Sequence, residues 1–342
     1  MNWFSKNSKK QPCTGNDILP TVIEHPGISL YGDKFGDPAS PCLYYGVDAS
    51  GNAIGWELGR TSTAAHVLAI TPTGLGGGSL VGSLIVGAVV HSLDIFLIDP
   101  KGVEFAPYRG IPECKIASSP EEISAMLDKL TDTLYGRFGQ VKGDADGADA
   151  LRPLVVIVND FPWIKRDAGA TSLEQLHELI SLGRSAGIHV LIRAPRPDAE
   201  LVTGGMRDNL AHLIVLGDPT EQGSLMLWGD ARFAERSVSA PDRALVSRGA
   251  GAPAPAQLFG VDAADATLQE SLRGGWALEC VRSVVSMRPD LKELPKGSPS
   301  HLLVLGQKDE EGSQMMWGEV LNPGADPKLF GFDRPVDSEQ DQ

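Results

Sequence analysis

The 342-residue sequence predicts an α/β fold built around a mostly parallel sheet. Three observations carry that expectation. Short apolar runs alternate with helical stretches, several runs end in acidic residues, and one breaks into a glycine-rich turn followed by a helix of small residues. Strands separated by helices at this rhythm imply right-handed crossovers within one sheet, with ligand-facing turns at the carboxyl ends of the strands.

The elements follow in order. Residues 1–35 are polar and dotted with proline, and read as a tail with one edge strand. Leu43 to Leu58 alternates around Asp48-Ala-Ser-Gly51-Asn52, a turn composition, which predicts a β-hairpin leading into the next strand. Residues 66–79, HVLAITPTGLGGGS, run from an apolar strand into a glycine turn, and Leu80 to His91 continues as a buried helix. Asp94 to Asp99, DIFLID, reads as an interior parallel strand. Ser119-Pro-Glu-Glu122 has the form of a helix cap, followed by Ile123, Met126, Leu127, Leu130 and Leu134 at helical spacing. Residues 139–150 form a surface loop, and Leu154 to Asp160, LVVIVND, is a second buried strand ending in Asn159-Asp160. Leu173 to Ala186 is an amphipathic helix, Ile188 to Ile192 a strand, Thr203-Gly-Gly-Met206 a turn, and Leu213 to Leu216 a further strand.

The regular pattern stops after Arg248 at GAGAPAPA, with a last strand over Gln257 to Val261 and a helix over Ala264 to Met287. The expected organisation is a tail at 1–35, a main domain at 36–262 and a C-terminal extension at 263–342 ending in an acidic tail. His212 to Asp230 matches His301 to Glu319 without a gap at 11 of 19 positions, an apparent partial duplication of a strand-loop-helix unit.

Composition narrows the function classes. At 42% hydrophobic and 22% charged residues the chain can bury a substantial core. Its longest apolar run is too short to span a bilayer and its first residues lack the apolar stretch of a signal peptide, so the expected location is the cytoplasm. The cysteines, Cys13, Cys42, Cys114 and Cys280, have no paired spacing and read as reduced thiols. A net charge of −14 argues against a generally sticky nucleic-acid coat. A basic lining inside a ring is still compatible with that total.

The glycine turn has the composition of a phosphate-binding loop, with Thr73, Gly74, Gly76, Gly77, Gly78 and Ser79 as the nucleotide-binding residues. A working loop places a lysine on the outer phosphates and a hydroxyl on the metal. Here Gly77-Gly78 stands where Lys-Ser falls in an ungapped reading, and looping out one residue recovers only Ser79 as the hydroxyl. Neither Lys nor Arg occurs from Thr61 to Pro100, and Lys101 is the nearest candidate. A tight turn with no ligand is the other reading of the same glycines. His66, His189 and His212 read as core histidines, Arg184 as an arginine packed by its stem, and Asp99, Lys101 and Glu104 as a solvated strand end.

Several segments together resemble the FtsK/SpoIIIE family of double-stranded DNA translocases. They are the lead-in YYGVDASGNAIGWELGRTSTAAHVLAI, the segment IDPKGVEFAPYRGIP at Ile98 to Pro112, the segment GRSAGIHVLIRAPRP at Gly183 to Pro197, and LVTGGMRDNL. The similarity covers about residues 43 to 261 in family order. It implies a RecA-like P-loop fold, ATP and Mg²⁺ as cofactors, double-stranded DNA as partner, and a homo- or hetero-oligomeric ring. Asn159 and Asp160 then take the catalytic positions, Ser79 and Asp160 the metal positions, and Arg193, Arg196 and Arg207 a DNA-facing set; Asp99, Lys101 and Glu104 become a subunit contact or coupling element.

The departures gather in the nucleotide site. The lysine is missing, the family's Asp-Glu pair is Asn159-Asp160, and its Thr-Gln is Ala194-Pro195. The expected function is therefore a DNA-associated protein of the translocase family with a degenerate ATP site and weak or no hydrolysis. The alternative is a non-enzymatic subunit or adaptor that uses the motor fold for protein contacts.

Overall fold

The computed structural model describes residues 23–24, 41–91, 93–142, 151–197, 204–235, 241–274, 307–308 and 315–316. Its strands, in chain order, are β1 (Ile23–Glu24), β2 (Cys42–Asp48), β3 (Ala53–Glu57), β4 (Val67–Ile70), β5 (Ile95–Ile98), β6 (Cys114–Ala117), β7 (Leu154–Val158), β8 (Ile188–Ala194), β9 (His212–Leu216), β10 (Arg243–Arg248) and β11 (Ala254–Gly260). Among them run the helices α1 (Gly77–Val90), α2 (Pro120–Val141), α3 (Phe161–Asp167), α4 (Gly169–Leu182), α5 (Gly204–Asn209), α6 (Glu221–Trp228) and α7 (Ala266–Gly274).

The sheet is ordered β3-β2-β11-β10-β9-β4-β8-β7-β5-β6, with β1 pairing beside β11 off that path. From β9 to β6 every pairing is parallel, and from β9 to β3 every pairing is antiparallel. The expected mostly parallel α/β sheet is present, with an antiparallel wing that sequence rhythm does not show.

Period-2 geometry divides the parallel strands between two cores. Val67, Ala69, Ile95, Leu97, Val155, Ile157 and Ile214 pack with α1 on one face. Leu68, Ile70, Phe96, Ile98, Val156 and Val158 pack with α2, α3 and α4 on the other. Burial on both faces explains why β4, β5, β7 and β9 read as unbroken apolar runs. Helix α2 starts as its cap predicts: the Ser119 hydroxyl accepts from the Glu122 N–H at 3.2 Å while Glu122 reaches back to the Ser119 N–H at 3.1 Å.

The expected hairpin β2–β3 forms and leads in the chain into β4, from which β11, β10 and β9 separate it in the sheet. Several expectations are corrected. Gly204–Asn209 is a short helix rather than part of a turn, because its glycines are followed by Met206, whose side chain is buried in the core and pins the segment. The stretch after Arg248 does not end the pattern: it turns β10 back onto β11 through an antiparallel pairing. Strands β6 and β10 were not expected, both being short and only partly apolar. Helix α7 agrees with the start of the expected Ala264–Met287 helix, with Leu272 in the core and the Arg273 guanidinium donating to the carbonyls of Pro107 and Arg109. In the second copy of the apparent repeat, Gln307–Lys308 and Met315–Met316 form a short antiparallel pair, where the first copy has loop and helix; the rest of that copy lies outside the described residues.

The three histidines are indeed in the core. The Nε2 atom of His189 accepts from the Gly59 N–H at 2.9 Å, which leaves Nδ1 protonated and donating to the Ala65 carbonyl at 3.1 Å. The Val190 N–H donates to His66 Nδ1 at 3.0 Å, and His212 Nε2 lies 2.8 Å from the Tyr45 hydroxyl. Burial drives their pKa values down from the ordinary histidine value, to about 3 for His66 and His212 and about 4 for His189.

Candidate nucleotide site

Strand β4 ends at Ile70, and the Thr71 N–H donates to the Ala194 carbonyl at 2.8 Å, which fixes the start of the glycine loop against the end of β8. The loop then relies on left-handed backbone at Gly74, φ 84°, and Gly76, φ 101°. Gly76 is the N-cap of α1, so Gly77 and Gly78 are the first residues of that helix. Thr73, Gly74 and Gly78 are exposed, while Ser79 is half-buried. The N–H groups at a helix start have no partners within the helix, and the macrodipole favours an anion there.

The acidic pair follows β7 at the same carboxyl edge, with β8 between it and the loop. Its two side chains are already engaged. The Asn159 amide donates to Asp99 Oδ1 at 3.3 Å, and Asp99 Oδ2 accepts from the Phe105 N–H at 3.1 Å. Asp99 is fully buried, so its expected place at a solvated strand end is corrected: it braces the turn that carries Glu104. Asp160 adopts left-handed backbone at φ 55° and pairs through Oδ2 with Lys101 Nζ at 2.7 Å. Lys101 is thereby directed to Asp160, not to the glycine loop.

The arginines separate. Arg196 and Arg207 are exposed, whereas the Arg193 side chain is only 12% exposed and lies against the glycine loop. Its Nε donates to the Thr71 hydroxyl at 2.7 Å and its Nη1 to Glu104 Oε1. A β-carbon built on Gly77 would stand 2.4 Å from Arg193 Nη2, so the guanidinium fills the space into which a side chain at 77 would project. Glu104 Oε1 is 3.9 Å from the corresponding point on Gly78. On the opposite side, a β-carbon on Gly76 would meet Asp242 Oδ1 at 2.2 Å, and the Asp242 N–H holds the Leu75 carbonyl at 3.2 Å.

Sequence reasoning placed the loop and the acidic pair but missed the inward position of Arg193 and the parts played by Thr71, Glu104 and Asp242. One signal was available: Arg193 interrupts an otherwise buried strand, IHVLIRA, whose other charged neighbours lie beyond its end. The donors present suit a phosphate group better than a divalent metal. Exposed loop N–H groups and a cation face the helix start, but in the acidic pair Asn159 is an amide and Asp160, an expected metal position, is paired with Lys101. Among the described residues no cluster of three or more His, Cys, Asp or Glu could hold a metal ion. No helix among them is long and apolar enough to cross a membrane.

Comparison with known proteins agrees with this architecture. Residues 36–152 match the model of the FtsK/SpoIIIE family. The DNA translocase FtsK of Staphylococcus epidermidis is 24% identical over 269 residues, covering 70% of this chain and 33% of its own length. FtsK of Bacillus anthracis is 24% identical over 237 residues, covering 62% and 29%. The chain thus spans about a third of the length of these relatives. Among solved structures, the pCW3 conjugation coupling protein TcpA with ATPγS superposes with a TM-score of 0.58 at 18% identity, over 71% of each chain. ATPases 2 and 3 of EssC from Geobacillus thermodenitrificans give 0.59 at 16% identity, over 81% of this chain and 55% of theirs. Motif order, sheet topology and these matches together give the chain a RecA-like P-loop ATPase fold and, over residues 36–152, a similarity to the FtsK/SpoIIIE family.

Proposed function

We propose that this chain is a DNA-associated member of the translocase family whose ATP site binds nucleotide weakly and does not turn it over at motor rates. The observation that carries the reading is the state of the acidic pair. Asn159 brings no charge to a metal and is bonded to Asp99, while Asp160, shorter than glutamate by one methylene, is held by Lys101. Bound ATP would bring the reactive phosphoanhydride, and Mg²⁺ would neutralise charge developing in the transition state. This chain's own residues supply less: loop N–H groups at Gly74, Gly76, Gly77 and Gly78 to hold phosphate oxygens, and the Ser79 hydroxyl beside them. They leave the attacking water without a free carboxylate. Losing two such electrostatic contributions costs on the order of 4 kcal/mol of barrier, roughly a thousandfold in rate.

Association with duplex DNA and assembly into a ring follow from the resemblance: the similar proteins are DNA translocases, and a head-to-tail interface between copies can close into a ring. Exposed Arg196 and Arg207 suit such a contact. The test is ATP turnover by the purified full chain with and without duplex DNA, together with DNA binding at low salt. The expected result is binding to DNA with hydrolysis at background. Strong DNA-stimulated hydrolysis would restore the motor, and absence of DNA binding would favour the adaptor.

A further inference from the structure

The loop's missing cation has a replacement in space. We propose that Arg193, delivered from β8, is the phosphate-facing cation of this site, and that Glu104 holds it as an internal anion which a polyphosphate must displace. The inference rests on the reading of the loop as a nucleotide site and identifies which side chains govern its occupancy.

The geometry begins at Gly77, the position that an ungapped reading gives to the lysine. Its backbone is helical, so a side chain there is conformationally allowed; the space it would enter is taken by the Arg193 guanidinium, which would have to shift to admit a β-carbon. Glycine at 77 and arginine at 193 are therefore complementary: the cation that the loop does not carry on its own stem enters the same space sideways. Reading Arg193-Ala-Pro-Arg-Pro197 against the family's A-T-Q-R-P puts alanine where this arginine stands. Thr71, the residue after β4, orients the guanidinium through Nε, which leaves Nη1 and Nη2 directed toward the helix start.

Glu104 completes the arrangement. It accepts from Nη1, is about one-third exposed, and places Oε1 close to Gly78 at the mouth of the helix. A carboxylate there satisfies both the arginine and the positive end of α1, much as a phosphate oxygen would. A di- or triphosphate carries more charge and more acceptor oxygens, and can take the arginine from a partly exposed carboxylate that water can then solvate. A purely structural pair, stapling β8 to the turn after β5, would show none of this dependence on phosphate.

The experiment is calorimetric titration of the full chain at low salt, without divalent cations, using ADP, inorganic pyrophosphate and adenosine as probes, with thermal unfolding recorded for every variant. Glu104→Gln should tighten ADP and pyrophosphate by about tenfold, the order of one charge-assisted contact, with adenosine unchanged. Arg193→Met should weaken both by at least about tenfold, and the exchange Arg193→Ala with Gly77→Lys should recover most of the loss. If Arg193→Met folds poorly, Glu104→Gln keeps the buried arginine and carries the test. Wild-type affinity in Glu104→Gln, wild-type affinity in a folded Arg193→Met, or no pyrophosphate binding by either the wild type or Glu104→Gln would overturn the proposal. Turnover is measured separately: an active ATPase whose binding still depends on Arg193 would refute the inactive-site reading and leave this one standing.

Discussion

Acid should unfold this domain early, and the three core histidines set the size of the effect. In the folded state each is held neutral by burial, with pKa values of about 3 for His66 and His212 and about 4 for His189. Unfolded, each returns to about 6.5. The unfolded chain therefore binds more protons throughout the window between these values, so stability present above pH 6.5 is lost as the pH falls toward 4. Between pH 7 and pH 5 each of these histidines contributes a loss of about 2 kcal/mol, or roughly 6 kcal/mol for the three, and the less buried His91, pushed down to about 4, adds a smaller loss in the same direction. That is a large share of the 5–15 kcal/mol typical of a domain. The hydrogen bonds point the same way, since His66 Nδ1 and His189 Nε2 each accept from a backbone N–H that a second ring proton would oppose. Carboxylates whose pKa is lowered by local hydrogen bonds, Asp48, Glu122 and Asp230, lose their contribution only at lower pH and do not confuse the window. Urea unfolding followed by tryptophan fluorescence reports it well, because Trp56 is fully buried and donates to the Ala65 carbonyl that His189 also contacts. With an m value on the order of 3 kcal/mol/M, the midpoint should fall by about 2 M between pH 7 and pH 5, and His189→Gln should remove about a third of that fall. Midpoints that agree to within about 0.3 M across the two pH values would refute the argument.

Further outcomes test the loop and the core. Gly76→Ala should destabilise the fold by about 2–4 kcal/mol in urea unfolding, because φ is 101° and the added methyl meets Asp242 Oδ1. Gly78→Lys alone should leave ATP turnover at background, since Asn159 and Ala194-Pro195 are unchanged; ordinary motor rates in that single variant would show that the other departures do not matter. Ser119→Ala removes one half of the cap on α2 and should cost about 1 kcal/mol of unfolding free energy. Ile157→Ala, at a fully buried position between the sheet and α1, should cost about 2–5 kcal/mol by the same measurement.

What could be seen in the sequence was whatever a local pattern determines. Runs such as LVVIV and HLIVL declare strands buried on both faces, and Ser119-Pro-Glu-Glu122 declares a cap, because the forces involved act within a few residues. The antiparallel wing escaped because the pairing that joins it, β11 on β2, brings together residues far apart in the chain and because β10, RALVSR, carries an arginine at each end. The candidate site divides on the same line. Its glycines and Asn159-Asp160 are contiguous signals, but the placement of Arg193 depends on an empty side-chain position at Gly77, more than a hundred residues earlier. The resemblance groups Arg193 with Arg196 and Arg207; only packing separates them.

The pairing of β2 with β11 also governs how the protein is made. Asp48 lies opposite Ala256, 208 residues later in the chain. At ribosomal speeds of about 5–20 residues per second, the hydrogen-bonding edge of β2 waits roughly 10 to 40 s for its partner to be synthesised. Through that interval the short β3 is the only strand paired with β2, whose other edge is the kind that nascent chains can capture. The wing is consequently the last part of the sheet to close, and a chain terminated before Ala254 would keep its parallel strands while leaving that edge permanently open.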